Sequence, residues 1–129
     1  MEVTATARFM RISARKARLL RPVILQKEAT LAVQTLDNTP KRGSVIVKKL
    51  ILSAIANGKE KSEETKSWYV KNFIVNEGPR MRRMRAAPMG RGMVIRKMLS
   101  HLTVTLEELP EAKHTQRKEH GAKGKSNRV

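Results

Sequence analysis

The chain has 129 residues, with 28 Lys and Arg against 11 Asp and Glu and a formal net charge of +17. A single domain with its own hydrophobic core fits this length. So strong a positive charge favours a polyanionic partner, nucleic acid before anionic membrane, because each neutralised phosphate releases condensed counterions. The sequence has no cysteine, which excludes disulfides, thiolate metal sites and a cysteine nucleophile.

The sequence does not predict a membrane protein. The longest apolar stretch, Val45 to Ile55, is interrupted by Lys48 and Lys49 and is much shorter than the roughly 20 residues that a span requires. Residues 1–5 have the pattern of neither a secretory signal nor a transit peptide. We therefore expect a protein that stays in the compartment where it is made and has no membrane partner.

The first third of the chain predicts a strand and short helices. Residues 2–8 alternate apolar and polar side chains, as in a half-buried strand. Ser13 can cap a helix that runs toward Arg21, which Pro22 should end or kink. A second short helix is predicted over 29–36, before a turn-forming Asp-Asn pair.

The main helix is predicted from a helical stripe of apolar side chains in the middle of the chain. Thr39 is the expected N-cap, with Pro40 at the first helical position, and Asn57-Gly58 is the expected end. Residues 59–66 lack apolar side chains and predict a solvated loop.

The second half predicts two further strands. Residues 68–75 are rich in aromatic and β-branched side chains, and residues 102–106 alternate apolar and polar types. We therefore predict an α+β fold, a small three-stranded antiparallel sheet with about three helices on one face. The expected domain is 1–108. Residues 109–129 are poor in large apolar side chains and predict a basic C-terminal tail that is disordered when free.

The segment between these two strands, 78–100, mixes Gly, Pro, Met and Arg in a way typical of neither a core nor an ordinary loop. It has no acidic residue, and its cations are Arg80, Arg82, Arg83, Arg85, Arg91, Arg96 and Lys97. Arginine matches phosphate with a planar fork of donors and stacks on exposed bases. If Val75 pairs with Leu102, residues 79–98 form a protruding hairpin that reaches about 30 Å at about 3.3 Å per residue. A basic loop without fixed structure is the alternative.

A second group of cations lies in the acid-free window 3–27 and comprises Arg8, Arg11, Arg15, Lys16, Arg18 and Arg21. Some of them recur at helical spacing, so Leu19 and Leu20 would turn inward while the cations face out toward phosphate. A merely solvated basic face is the alternative. The methionines among the arginines, Met81, Met84, Met89, Met93 and Met98, could pack on RNA or line a channel. Core packing is the alternative for the last two of them.

Catalytic and metal-binding patterns are missing from the sequence. His101, His114 and His120 have no metal-ligand spacing, so we expect no metal and no cofactor. The pairs Glu63-Glu64 and Glu107-Glu108 are accompanied by neither a nucleophile nor a glycine-rich phosphate loop. We expect neither an enzyme nor a small-molecule substrate.

Several motifs together resemble one known family. They are Ser13-Ala14-Arg15-Lys16-Ala17-Arg18-Leu19, Ser53-Ala54-Ile55-Ala56-Asn57, Val75-Asn76-Glu77-Gly78-Pro79, Met81-Arg82-Arg83, Gly90-Arg91 and Ser100-His101-Leu102-Thr103-Val104. In order and spacing the sequence resembles large-subunit ribosomal protein number twenty-two, of bacterial or organellar type, over residues 3–106. One difference lies at the hairpin tip, where that family usually has Pro-Arg-Ala-x-Gly-Arg and residues 86–91 are Ala-Ala-Pro-Met-Gly-Arg.

The resemblance implies a structural constituent of the large subunit of a cytoplasmic or organellar ribosome. It implies binding to large-subunit ribosomal RNA, support of assembly and contacts with neighbouring ribosomal proteins. An architectural DNA-binding protein is the alternative that charge alone would allow. The expected RNA-binding residues are Arg8, Arg11, Ser13, Arg15, Lys16, Arg18, Arg80, Arg82, Arg83, Arg85, Arg91, Arg96, Lys97 and His101.

The resemblance also implies that the hairpin is threaded through RNA and that its tip lines the exit tunnel of the nascent polypeptide. The tip would consist of Arg85, Ala86, Ala87, Pro88, Met89, Gly90, Arg91 and Gly92. Gly90 and Gly92 would permit a tight reversal, and Pro88 would help to fix it. Met89 and Arg91 are the long side chains expected to project toward the tunnel lumen.

Overall fold

The computed structural model describes residues 1–61 and 67–108. Strands β1 (Glu2–Met10), β2 (Trp68–Ala86) and β3 (Gly92–Glu108) form an antiparallel sheet in the order β1-β3-β2. Four helices lie between β1 and β2 in the described chain: α1 (Ala14–Arg18), α2 (Arg21–Ile24), α3 (Ala29–Asp37) and α4 (Arg42–Lys61). The predicted α+β fold is confirmed, with the first predicted helix divided into α1 and α2. The predicted tail, 109–129, and part of the predicted loop, 62–66, lie outside the described residues.

The core lies between the helices and one face of the sheet. Alternate residues of each strand are buried, whereas the residues between them on β1, such as Thr4 and Thr6, are exposed. Burying one large aliphatic or aromatic side chain contributes about 1.5–3 kcal/mol. The largest fully buried side chains include Phe73, Leu102, Leu106, Val3, Val70 and Val104 of the strands and Leu20, Ile24, Leu36, Val47 and Ile51 of the helical part.

The main helix differs from the prediction at both ends. It begins at Arg42 rather than at the predicted Pro40. The carbonyl of Thr39 instead accepts from the Lys41 amide, 2.8 Å away, which forms a turn before the helix. It continues past Gly58 to Lys61, so the first part of the predicted loop is helical. A Cβ atom on Gly58 would lie 2.8 Å from the ring of Trp68. This glycine therefore allows close packing of helix on strand instead of ending the helix.

The first two helices confirm one prediction and overturn another. Ser13 caps α1, and its hydroxyl accepts from the Lys16 amide at 3.4 Å. Pro22 lies in the first turn of α2, where a backbone amide would have no acceptor within the helix, so the missing amide of proline is tolerated. Leu20 is buried as expected, but Leu19 is 58% exposed, so the inward orientation predicted for Leu19 is wrong. Both leucines lie in the turn between α1 and α2, and burial of Leu20 leaves Leu19 on the outer side of that turn.

Strands β2 and β3 continue beyond the core as a two-stranded hairpin. Val75 pairs with Leu102 as predicted, and pairing in the arms runs from Arg80 opposite Met98 to Ala86 opposite Gly92. In the described chain, no residue between Val75 and Ser100 is buried. The hairpin is therefore present but has no core of its own. Met98 is 40% exposed and Met93 is 62% exposed, so neither of these two methionines packs in the core.

Both neighbours of β3 are irregular where the hairpin leaves the core. On β2 the register shifts between Glu77 and Arg80, and a Cβ atom on Gly78 would lie 3.1 Å from the Leu99 carbonyl. On β1 the register shifts near Phe9, which has a φ of 55°. The Phe9 amide donates to Nδ1 of His101 at 3.1 Å, and the two rings meet edge to face. Bulges bend a strand and increase its twist, and both of these lie where the hairpin leaves the core.

Candidate nucleic-acid interface

The hairpin presents cations on both of its faces. Arg82 and Arg96 are directly opposite each other across the two strands, and both are exposed. Arg83 and Arg85 alternate with Arg82 and point to the other face of the ribbon. Like charges opposite each other destabilise a strand pair, so an anionic partner on either face would stabilise this hairpin.

One cation of the hairpin has an acidic partner that the sequence reading missed. Arg80 lies 3.7 Å from the carboxylate of Glu77, just outside the acid-free stretch. Both side chains are exposed, and such surface pairs contribute about 0–1 kcal/mol. Arg80 therefore has a counter-charge within the protein, supplied from outside the acid-free stretch. The pair lies at the root of the hairpin and leaves the charges of the arms unchanged.

Several more of the predicted RNA-binding residues make contacts within the fold. The guanidinium of Arg18 donates to the carbonyl of Val75 at 3.2 Å. Ser13 caps α1, and His101 accepts from a backbone amide of β1. Arg8 and Arg15 are exposed on β1 and α1, and Arg18 is exposed too, although its guanidinium makes the hydrogen bond to Val75. The sequence showed which residues carry charge but not which of them the fold would use.

The two groups of cations meet at one groove, between α1, the start of α4 and the root of the hairpin. Its volume is about 520 Å³. It is lined by Arg11, Ile12, Ser13, Lys16, Leu19, Leu20, Lys41, Arg42, Gly43, Arg96 and Met98. A smaller groove of about 260 Å³ lies between Arg15 of α1 and Arg80 of the hairpin. Predicted residues that are far apart in the sequence therefore share one surface.

Lys41 and Arg42 were missed by the sequence prediction. Lys41 directly precedes the main helix and Arg42 is its first residue, and a basic pair at such a place is an ordinary feature of a surface. Their position at the groove depends on the packing of α4 beside the loop before α1, where a Cβ atom on Gly43 would lie 2.7 Å from the side chain of Ile12. That packing cannot be read from local patterns.

The hairpin tip is a defined turn. The Ala87 amide donates to the Arg91 carbonyl at 2.8 Å, which closes the loop around Pro88–Gly90. Met89 and Gly90 have φ values of 62° and 66°, so Gly90 serves the reversal as predicted. Gly92 instead pairs with Ala86 in extended backbone, and its predicted role in the reversal is wrong. Met89 also has left-handed backbone, and its side chain is 93% exposed.

A group of charged and polar side chains lies at the end of the sheet away from the hairpin. The Tyr69 hydroxyl donates to the Glu107 carboxylate, which lowers the pKa of Glu107 and raises the pKa of Tyr69. Lys71 pairs with Glu2 and lies 3.3 Å from Glu107, and these carboxylates raise the pKa of Lys71. Glu108 lies 3.5 Å from the N-terminal ammonium of the chain. The carboxylate pair singled out in the sequence is thus held in ion pairs.

Some of the residues considered for chemistry, Glu63, Glu64, His114 and His120, lie outside the described part of the chain. Within residues 1–61 and 67–108, no group of three or more His, Asp or Glu side chains is placed to hold a metal ion. None of the helices described is both long and apolar enough to cross a membrane.

Comparison with known proteins identifies the family. Residues 5–107 match the family described as Ribosomal protein L22p/L17e. The chain is 41% identical over 112 residues to the large ribosomal subunit protein uL22 of Halothermothrix orenii, covering 86% of this chain and 99% of that protein. The protein of the same name from Solibacter usitatus is 41% identical over 110 residues, covering 84% of this chain and 97% of that protein. That of Bdellovibrio bacteriovorus is 41% identical over 109 residues, with 84% and 99% coverage.

The chain therefore belongs to the ribosomal protein L22p/L17e family. The match covers most of β1, all four helices, all of β2 and nearly all of β3. The resemblance inferred from the short motifs is confirmed, and so is the prediction of a ribosomal protein of the large subunit.

Proposed function

We propose that the chain is a non-enzymatic constituent of the large ribosomal subunit, in the cytoplasm, that binds large-subunit ribosomal RNA. It supports assembly of the subunit and contacts neighbouring ribosomal proteins. The observation that carries this proposal is the hairpin, because it has cations on both faces and no buried residue of its own. A ribbon of this kind is stabilised by phosphates on both sides, which a folded RNA provides within a crevice.

We propose a division of work within the chain. Residues 1–108 form the RNA-binding domain, from which residues 79–98 extend into the RNA. Residues 109–129 add a basic tail. Arginine predominates in the hairpin and suits RNA crevices, because its guanidinium both pairs with phosphate and stacks on bases.

The tip is proposed to line the tunnel through which the nascent polypeptide leaves. Met89 is 93% exposed at the apex of the closed turn, and Arg91 is exposed beside it. In this position the two side chains would set the width and the charge of the tunnel wall. The turn that holds them is fixed by the hydrogen bond between the Ala87 amide and the Arg91 carbonyl.

The RNA-binding part of the proposal is tested by salt dependence. Replacing Arg82, Arg83 and Arg96 together by Gln should lower the slope of log affinity against log salt by about 2–3 for large-subunit RNA, because each phosphate contact contributes about 0.7–0.9. The matched control replaces Lys49, Lys59 and Lys61, exposed cations of α4, by Gln. An equal fall in slope for both variants would show that the hairpin has no special part in binding.

The architectural DNA-binding alternative is tested in the same assay and in cells. Duplex DNA of equal length should compete weakly for the chain, because the hairpin fits the crevices of a folded RNA better than a regular groove. In a cell lysate the full chain should sediment with large ribosomal subunits. Sedimentation with the nucleoid, together with effective competition by duplex DNA, would favour the alternative.

A further inference from the structure

The groove between α1, the start of α4 and the root of the hairpin combines two kinds of surface. Its lining includes an apolar group, the floor, of Ile12, Leu19, Leu20 and Met98 with Gly43, and a basic group, the rim, of Arg11, Lys16, Lys41, Arg42 and Arg96. No acidic residue lines it among the described residues. Leu19 is 58% exposed and Met98 is 40% exposed, so the floor is accessible.

We infer that this groove holds one unpaired nucleotide of RNA, with its base and sugar on the apolar floor and its flanking phosphates on the basic rim. The inference rests on the proposed function and goes further, since it names the form of RNA that is bound and the place. A volume of about 520 Å³ is within the range of sites that enclose a small organic group.

The chemistry of the lining favours a nucleotide over a simple anion. A phosphate alone would be held by the cations and would leave Leu19 and Met98 of the floor in contact with water. A base gives those side chains an apolar partner, and the guanidinium planes of the rim can stack on it. A paired duplex cannot supply this, because its bases are stacked inside the helix and only its phosphates would reach the rim.

The groove also connects two parts of the protein. Arg96 and Met98 belong to β3 at the root of the hairpin, whereas Lys16 and Lys41 belong to the helical part. Without a ligand, the cations on the two sides repel each other across the groove. A nucleotide with phosphates on both sides would remove this repulsion and fix the angle between the hairpin and the core.

The test follows methyl resonances of Ile, Leu and Met in the full chain by NMR. The first probe is an oligouridylate of about eight nucleotides, a length typical of single-strand sites. The others are a blunt RNA duplex of the same length, inorganic polyphosphate and polyglutamate. The oligouridylate should shift the methyl signals of Ile12, Leu19 and Met98. The other probes should shift methyl signals of the hairpin arms, such as that of Met84, and leave the methyl signals of the groove floor unchanged.

Two pairs of variants separate the floor from the rim. Leu19→Gln should weaken oligouridylate binding about fivefold, the low end of the effect of losing a stacked base, and leave duplex binding unchanged. Its control is Leu52→Gln, a leucine of α4 that is 46% exposed outside the groove. Lys41→Gln with Arg42→Gln should lower the salt slope for the oligouridylate by about 1.4, at about 0.7 per phosphate on a single strand. Its control is Lys59→Gln with Lys61→Gln.

Other results of these experiments would overturn the inference, each for a different reason. If polyphosphate shifts the floor signals as strongly, the groove is a site for a simple anion, and an equal effect of polyglutamate would indicate an acidic protein partner. If large-subunit RNA binds the chain while the floor signals stay in place, the inference fails and the proposed function stands. If neither the oligouridylate nor large-subunit RNA binds, both fail.

Discussion

The guanidinium of Arg18 donates a hydrogen bond to the backbone carbonyl of Val75, 3.2 Å away. Val75 is the last buried residue of β2 before the hairpin begins. The contact therefore ties α1 to the root of the hairpin and uses a side chain that the sequence predicted to bind RNA. A hydrogen bond of this kind holds the strand at the point where it leaves the core.

Arg18→Gln should lower the free energy of unfolding by about 1 kcal/mol, because the Val75 carbonyl loses a charged donor. It should leave the salt slope of RNA binding unchanged. Its control, Arg15→Gln on the exposed side of the same helix, should do the opposite and lower the slope by about 0.9 with little effect on stability. Urea unfolding and salt titrations of both variants check this, and a fall in slope for Arg18→Gln would return that residue to the RNA-binding set.

The repulsion across the hairpin arms can be tested by reversing one charge. We expect residues 79–98 to exchange their amide protons rapidly in the RNA-free protein, because Arg82 faces Arg96 and no core supports the arms. Arg96→Glu makes this an attractive pair and should slow exchange in the arms about threefold, within the energies known for cross-strand pairs. Lys97→Glu is the control, because Lys97 faces Met81. Equal slowing in both variants would mean that the cross-strand pair is not the cause.

The left-handed backbone of Met89 makes the tip sensitive to the shape of that side chain. Met89→Gly should keep the hydrogen bond between the Ala87 amide and the Arg91 carbonyl, since glycine adopts a φ of 62° without strain. Met89→Val should loosen it, because a β-branched residue in this region costs about 1–2 kcal/mol. Amide exchange at Ala87 distinguishes the two. Equal protection in both variants would show that the arms alone define the turn.

Stability in acid should depend on Glu107. The Tyr69 hydroxyl and the Lys71 ammonium hold the pKa of Glu107 below its ordinary value, so the folded state binds fewer protons than the unfolded state in this range. The stabilisation is complete above the ordinary pKa of a glutamate and is lost as the pH falls through the lowered folded pKa. Glu107→Gln should therefore lose stability at neutral pH and approach the parent protein at low pH, and Tyr69→Phe should do so in part. Unfolding curves that stay parallel across the acid range would contradict this.

The sequence predicted those parts of the fold that depend on local patterns. Alternation of apolar residues placed the root of the hairpin at Val75 and Leu102, and Ser13 was correctly assigned as a cap. The predicted end of the main helix was wrong, because Asn57-Gly58 has the pattern of a helix terminus but packs against β1 and β2 within a continuing helix. The Asn57 side chain donates to the Thr4 carbonyl at 3.3 Å, and Gly58 makes room for Trp68.

The site was predictable in composition and not in arrangement. Charge and residue type indicated an RNA-binding surface, and the hairpin carries half of the residues named for it. The contact of Arg18 joins residues 57 positions apart, and the groove is built from three separate segments. Leu19 shows the same limit, because the turn after α1, and not its own helical pattern, exposes it at the groove. Such features follow from tertiary packing, which no local pattern contains.

The central claim is tested most directly by a density map of large ribosomal subunits assembled with this chain. We predict residues 79–98 within ribosomal RNA and the tip, 85–92, at the wall of the exit tunnel. In subunits carrying Arg91→Ala the hairpin should keep its path, whereas deletion of Met81 to Arg83 should shift the register of one arm and displace the tip. A map that places residues 85–92 far from the tunnel, or leaves the tip unmoved by the deletion, would contradict this account of the hairpin.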